Sequence, residues 1–346
     1  MPRYFFVQPQ VKRPVGGNNV TMKLIDILQD VGYEAYPLYS QKNYKYNFFD
    51  SFQQSYYYPP LRKIDYSLLG RYGKISESID NFMNLRKAPC NNELDLRADD
   101  IFILPEFVYD RYYPLFSNQK LIISVQSVFA LWRAFRRDKA AGTEILKKFA
   151  AAITISDATT ECTRYLTDLN IHEVSQSISS VHLDPYRIKL KQIAYMPRKR
   201  KQEVDLFLGC IRDLPAFQGW TFRAIDNSPP EEVGHILSES LIFLSFSEIE
   251  GFGLPPAEAM AAGCIVIGYT GVGGEEFFAE DACIPIADRD IVAFARALEN
   301  TVVEYEQNPS RLDAMRLKAA DRIARRYNPD TMRASLLEAW KEIETQ

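Results

Sequence analysis

Histidine is scarce in this chain, and paired cysteine is missing from it. Its 346 residues include three His (172, 182 and 235) and five Cys (90, 162, 210, 264 and 283), with no close Cys pair. An odd, scattered set of thiols excludes a disulfide framework or a cysteine zinc knuckle and suits a reducing compartment. A long apolar run is also lacking: no stretch approaches the ~20 residues needed to cross a bilayer. The opening Met1-Pro2-Arg3-Tyr4-Phe5-Phe6 reads as a strand, without the apolar region of a signal peptide. The expectation is a cytoplasmic protein that at most rests on the inner face of a membrane. Charge of one sign is missing too, since 41 Lys and Arg face 45 Asp and Glu for a net −4. That balance excludes a nucleic-acid binder held by general electrostatics. What remains is an ordinary globular composition, 47% hydrophobic and 25% charged, at a length that suggests two domains.

Strand-like runs alternate with helical ones, the pattern of parallel α/β layers. Strands are expected at Tyr4 to Gln8, Ile101 to Leu104, Leu121 to Val125 and Ala152 to Ile155. A second series covers Gln192 to Met196, Thr221 to Ile225, Leu241 to Phe246 and Cys264 to Gly268. Gly16-Gly17-Asn18-Asn19 reads as a turn before a helical stripe, Val20, Leu24, Ile27, Leu28 and Val31. Ser156-Asp157 opens a helix through an N-cap residue. The polar, irregular stretch Ser175 to Tyr186 sets a boundary between domains 1–185 and 186–346. Helices follow Pro309, broken at Tyr327-Asn328-Pro329. A tyrosine-rich insert, residues 41 to 75, resembles neither strand nor helix; it reads as an acceptor-binding loop or as a surface loop packed by its own rings.

The densest chemistry lies between Glu250 and Glu258, in Glu250-Gly251-Phe252-Gly253-Leu254-Pro255-Pro256-Ala257-Glu258. A buried strand feeds a glycine-loosened turn, and a helix is entered through prolines, which are favoured at its first positions. The N–H groups of the first turn, with the helix dipole behind them, form an expected phosphate site. A carboxylate on either side could accept hydrogen bonds from hydroxyls flanking that phosphate. A nucleoside diphosphate-sugar has such hydroxyls on both sides. Two glutamates falling there by chance is the alternative.

The block from Ser247 to Gly263 resembles the signature of retaining nucleotide-sugar glycosyltransferases with the GT-B fold. These are the family 4-like enzymes of bacterial polysaccharide and lipid glycosylation. The resemblance implies two Rossmann-like domains with parallel sheets facing across a cleft, the donor in residues 186–346 and the last helix crossing back to the first domain. It implies that Glu250 reads the hexose and Glu258 the ribose, with the backbone of Phe252, Gly253 and Leu254 against phosphates and sugar. Gly16 and Gly17 fall where such enzymes bring backbone near the donor phosphates or acceptor. Met196-Pro197-Arg198-Lys199-Arg200-Lys201 falls where relatives hold the diphosphate; Arg198 and Lys199 are favoured, though a solvated basic turn would look the same. Gln126 replaces a histidine common at that strand end, so it can hydrogen-bond a ligand but cannot act as a base. Glu106, ending the preceding strand, is an acceptor-contact candidate. Asn227 lies where the nucleobase is seated. Gly271-Val272-Gly273-Gly274-Glu275 is expected to shape backbone beneath the donor.

Asp288-Arg289-Asp290 spells the metal-binding string of other glycosyltransferases but starts a helix, where Asp caps well. No metal or other cofactor is therefore expected. The basic, aromatic stretch Trp132 to Lys139 could meet an anionic membrane or simply form a solvated helix. The implied partners are a UDP-sugar, first of all UDP-glucose, and a saccharide or lipid-linked acceptor. A GT-B epimerase, a sugar phosphorylase and a non-catalytic sugar-nucleotide-binding subunit are the other readings.

Overall fold

A computed structural model describes residues 2–11, 15–46, 49, 54–68, 91–178 and 182–345. Two compact units emerge. The first comprises Met1–Thr154, Thr160–Glu173 and Leu336–Gln346; the second Ile155–Thr159 and Val174–Ser335.

The first unit is an eight-stranded, wholly parallel sheet in the order β4-β3-β2-β1-β5-β6-β7-β8. Its strands are β1 Arg3–Val7, β2 Glu34–Tyr39, β3 Tyr56–Tyr57, β4 Asn92–Glu93, β5 Ile101–Pro105, β6 Lys120–Val125, β7 Ala151–Thr154 and β8 Asn170–Glu173. Central strands buried on both faces are mostly apolar, and β1, β5, β6 and β7 are so but for their polar ends and Ser124; buried Arg3, which opens β1, pairs with Asp100 at 2.8 Å. Phe5, Phe102 and Phe116 stack through this core, with centroids 5.5 and 4.1 Å apart. Trp340, fully buried in the closing helix Pro329–Thr345, stacks on Phe6 at 5.9 Å. Glu344 of that helix accepts the hydroxyls of Tyr4 and Tyr33 at 2.9 and 2.8 Å.

Two readings change. Gly16 and Gly17 are the first residues of the helix Gly16–Asp30, not a turn before it. The insert supplies a parallel strand, Tyr56–Tyr57, because Tyr56 packs on Phe5 and Tyr36 at 5.3 and 5.1 Å and completes an aromatic face. Much of the remaining insert lies outside the described residues. β2 was not foreseen, since Pro37 argues against an interior strand.

The second unit is a five-stranded parallel sheet in the order β10-β9-β11-β12-β13, made of β9 Leu190–Tyr195, β10 Thr221–Ala224, β11 Ser240–Phe246, β12 Ile265–Tyr269 and β13 Ile284–Ile286. Residues 174–178 and 182–185, read on sequence as the end of the first domain, belong to this unit. Ile178 N–H donates to Tyr327 O at 2.8 Å and Ser175 N–H to Ser335 Oγ at 3.0 Å. Among the described residues, no helix is long and apolar enough to cross a membrane.

Candidate functional site

In a doubly wound parallel sheet, ligands bind beyond the carboxyl ends of the strands where the winding reverses. In the second unit the chain goes from β9 outward to β10, then returns to β11 on the other side of β9. The reversal lies between β9 and β11, whose following loops carry Lys199 and Glu250. These side chains meet: Lys199 Nζ is 2.5 Å from Glu250 Oε1, with Glu250 half-buried.

The Glu250 loop is held firmly. Glu250 N–H donates to Gly271 O at 2.9 Å and its carbonyl accepts from Gly273 N–H at 3.1 Å. Between those anchors Val272 takes φ 71°, ψ −72°, and Gly273 N–H closes a γ-turn onto Gly271 O at 3.0 Å. A β-branched residue in that region is strained by on the order of 1–3 kcal/mol, and such strain gathers at functional sites. Ser156 Oγ, which caps the helix Asp157–Leu166 by accepting from Thr159 N–H at 3.2 Å, donates to Gly251 O at 2.5 Å. Beneath the loop the Phe252 ring is buried between Phe277 and Tyr327, 5.2 and 5.0 Å away.

Gly253 enters the helix Leu254–Ala261 at φ 100°, a conformation that only glycine adopts at little cost. The first turn offers fewer donors than the sequence suggested. Pro255 and Pro256 have no N–H, and the Ala257 N–H returns to Gly253 O at 3.3 Å. The N–H groups of Phe252, Gly253 and Leu254 meet no acceptor among the described residues. Phe252 and Gly253 are buried residues and Leu254 is half-buried; N–H groups at a helix start without a protein acceptor are left for water or a ligand. Glu258, half-buried, is one turn into that helix.

The contiguous cations divide. Arg200 is buried, pairs with Glu203 at 3.0 Å and with Asp288, and stacks 4.8 Å over the Tyr269 ring. Lys201 pairs with Asp205 at 2.7 Å. Of these four cations, Arg198 is exposed, without a partner among the described residues, and Lys199 is held by Glu250 alone. Asp288 is committed to Arg200, while Asp290 caps the helix Ile291–Gln307 by accepting from Ala293 N–H at 2.9 Å. Asn227 is exposed in a left-handed turn at φ 55°, and Glu275 is also exposed.

The first unit has its own reversal, between β1 and β5, where Gln8 and Glu106 follow the strands and Gln126 follows β6. Gln8 is 3% exposed, yet both amide atoms lack a partner among the described residues. Gln126 Nε2 donates to Thr21 Oγ1 at 3.0 Å, while its Oε1 is buried without one. A Cβ on Gly17 would come within 2.8 Å of that Oε1, so this glycine makes room for Gln126. Burial drives the Glu106 carboxyl up to about 8, outweighing the main-chain N–H groups of Glu106, Gln126 and Ser127 that favour its charge. Near neutrality it is mostly protonated and can donate a hydrogen bond.

Residues 221–314 match the family described as Glycosyl transferases group 1. An α-1,6-glucosyltransferase of Actinobacillus pleuropneumoniae serotype 7 (strain AP76) is 27% identical over 279 residues, 74% of this chain and 81% of that one. Staphylococcus aureus TarM, solved with UDP and saccharides, superposes with a TM-score of 0.64 at 14% identity, covering 99% of both chains. Anabaena HepE, solved with UDP and glucose, gives 0.61 at 11% identity over 99% of this chain and all of the other.

The chain has the GT-B fold and carries a glycosyl transferase domain.

Within this transferase, Glu250 and Lys199 come together in one unit, and Gly17 and Gln126 in the other. Gln8 escaped the sequence reading. Its signal was available: a polar residue ends an apolar strand where the winding reverses.

Proposed function

We propose that the transferase moves a hexose, first of all glucose, from its UDP conjugate to a hydroxyl of a polysaccharide or lipid-linked oligosaccharide, retaining the anomeric configuration. The observation that carries this is the Lys199–Glu250 pair beside the unpartnered N–H groups of Phe252, Gly253 and Leu254. The diphosphate takes those N–H groups together with Arg198 and Lys199. Losing Lys199 to phosphate frees Glu250 to accept from a donor-sugar hydroxyl. Glu258 accepts from the ribose, and Asn227 borders the base. As the C1–O bond to the diphosphate breaks, fixed cations and amides stabilise the growing charge. The acceptor oxygen bonds C1 on the vacated face and passes its proton to the leaving phosphate, so no protein base is required.

The amide-lined end of the first sheet, with Gly16, Gly17, Gln126, Gln8 and Glu106, suits a neutral polyhydroxyl ligand. Its named residues carry no cation, and they offer both donors and acceptors. Trp132 and Tyr165, exposed and stacked at 5.8 Å beside Arg133 and Arg136, suit a membrane surface presenting a lipid-linked acceptor.

Isothermal titration with UDP in EDTA tests the donor assignment, and NMR of the product linkage tests retention. UDP binding only with added magnesium, or an inverted linkage, would refute the corresponding part. A sugar released without acceptor as a free epimer would favour the epimerase reading.

A further inference from the structure

Two of the three histidines stand together in the second unit, outside every residue assigned to the transfer. Glu231 and His235 lie four apart on the exposed side of the helix Pro230–Glu239, so one face presents both. His182 comes from the segment before β9 and is fixed against that helix. Ser238 Oγ donates to the His182 carbonyl at 2.9 Å and accepts from Asp184 N–H at 2.9 Å. Gly234 permits the approach, since a Cβ there would fall 2.5 Å from His182 Cβ. The imidazole centroids are 5.6 Å apart, and His235 Nε2 is 3.9 Å from Glu231 Oε1. One ligand atom from each of the three residues lies within 4.8 Å of the others. Tetrahedral zinc, with bonds of about 2.0–2.2 Å, sets its ligands roughly 3.3–3.6 Å apart. Modest rotations of two exposed side chains close that difference.

We propose that His182, Glu231 and His235 bind one divalent ion of the zinc class, clamping the segment ahead of β9 onto the helix Pro230–Glu239. Two imidazoles and one carboxylate select zinc, nickel or copper over magnesium and calcium, which prefer all-oxygen shells. Arg223 does not compete for Glu231, because it pairs with Glu232 at 3.6 Å. The site is structural and separate from the donor, so it leaves metal-independent UDP binding as expected.

The test titrates the metal-stripped, full-length protein with zinc chloride by calorimetry, with cobalt absorption reporting imidazole ligation. One equivalent should bind and raise the unfolding midpoint. His182→Ala and His235→Ala should each weaken it by on the order of 100-fold or more, at least the loss expected from disturbing ligand support. Transfer activity in EDTA should be unchanged by His235→Ala, whose exposed side chain supports no core; His235→Gln provides a second variant of near-native size. Absence of stoichiometric binding overturns the proposal. So does equal zinc affinity in the variants, which would mean an adventitious ion only.

Discussion

At the reversal of the second sheet stand Lys199, Glu250 and three unpartnered N–H groups; at that of the first stand Gln8, Gln126 and a carboxyl raised by burial. Both sheets are parallel and wound outward from a central strand, so one topology carries two sheet ends of different chemistry. On the proposed function, the charged end would meet a group whose charge grows during reaction, and the neutral end would meet hydroxyls, whose recognition requires donors and acceptors without net charge. The difference teaches that winding decides where a ligand can sit, while the residues just past each strand decide which.

The sharpest way to break the comparison is at Glu250. Glu250→Ala should lower turnover by roughly 100- to 1000-fold, the scale of removing one fixed group from a reacting centre, with UDP affinity largely kept by calorimetry. Equal loss of both would make Glu250 a structural partner of Lys199. Next in size, Glu258→Ala should weaken UDP by ~1–3 kcal/mol, as for a lost buried hydrogen bond. Unchanged affinity there would remove the ribose from this helix. Neither substitution should alter whatever binds at the amide-lined end.

The Glu250–Glu258 motif was legible because its physics is local: glycines, prolines and spacing sit within nine residues. Eight of the thirteen strands were legible through their apolar runs; Pro37 masked β2, β3 and β4 are only two residues long, and the short edge strands β8 and β13 carry no long apolar run. The division of the cations was not legible. Arg200 looks like Lys199 in sequence, and its capture depends on Asp288 and Tyr269, far along the chain. The loss of helix N–H groups to Pro255 and Pro256 could have been counted from sequence, but the return of the Ala257 N–H to Gly253 could not. Gln8 is ordinary in composition and becomes unusual only because β1 lies inside an eight-stranded sheet.

Glu106 gives the comparison a pH axis. Its folded value, about 8, lies above the ordinary glutamate range, so the folded state holds a proton that the unfolded chain releases near 4.5. The resulting stability is fully present below about 4.5 and is lost as pH rises through about 8, at no more than ~1.4 kcal/mol per pH unit. Glu106→Gln mimics the protonated form and should flatten that part of the profile in denaturant titrations between pH 6 and 8. A slope identical to the parent's would mean that Glu106 is charged throughout.

The smallest effect expected is also the one that separates function from folding most cleanly. Gln8 buries an amide with no partner for either atom among the described residues, a condition that costs about 1–3 kcal/mol when no ligand or water compensates. If folding alone governed this position, an apolar residue of similar volume would serve better. Gln8→Leu should therefore raise the stability of the ligand-free protein by up to about 1 kcal/mol, allowing for some hydration of the amide, while raising the KM for acceptor. Lost stability with unchanged KM would mean that Gln8 finds its partners within the fold. That end would then lose its central ligand-facing amide, and the likeness between the ends of the two sheets would be topological alone.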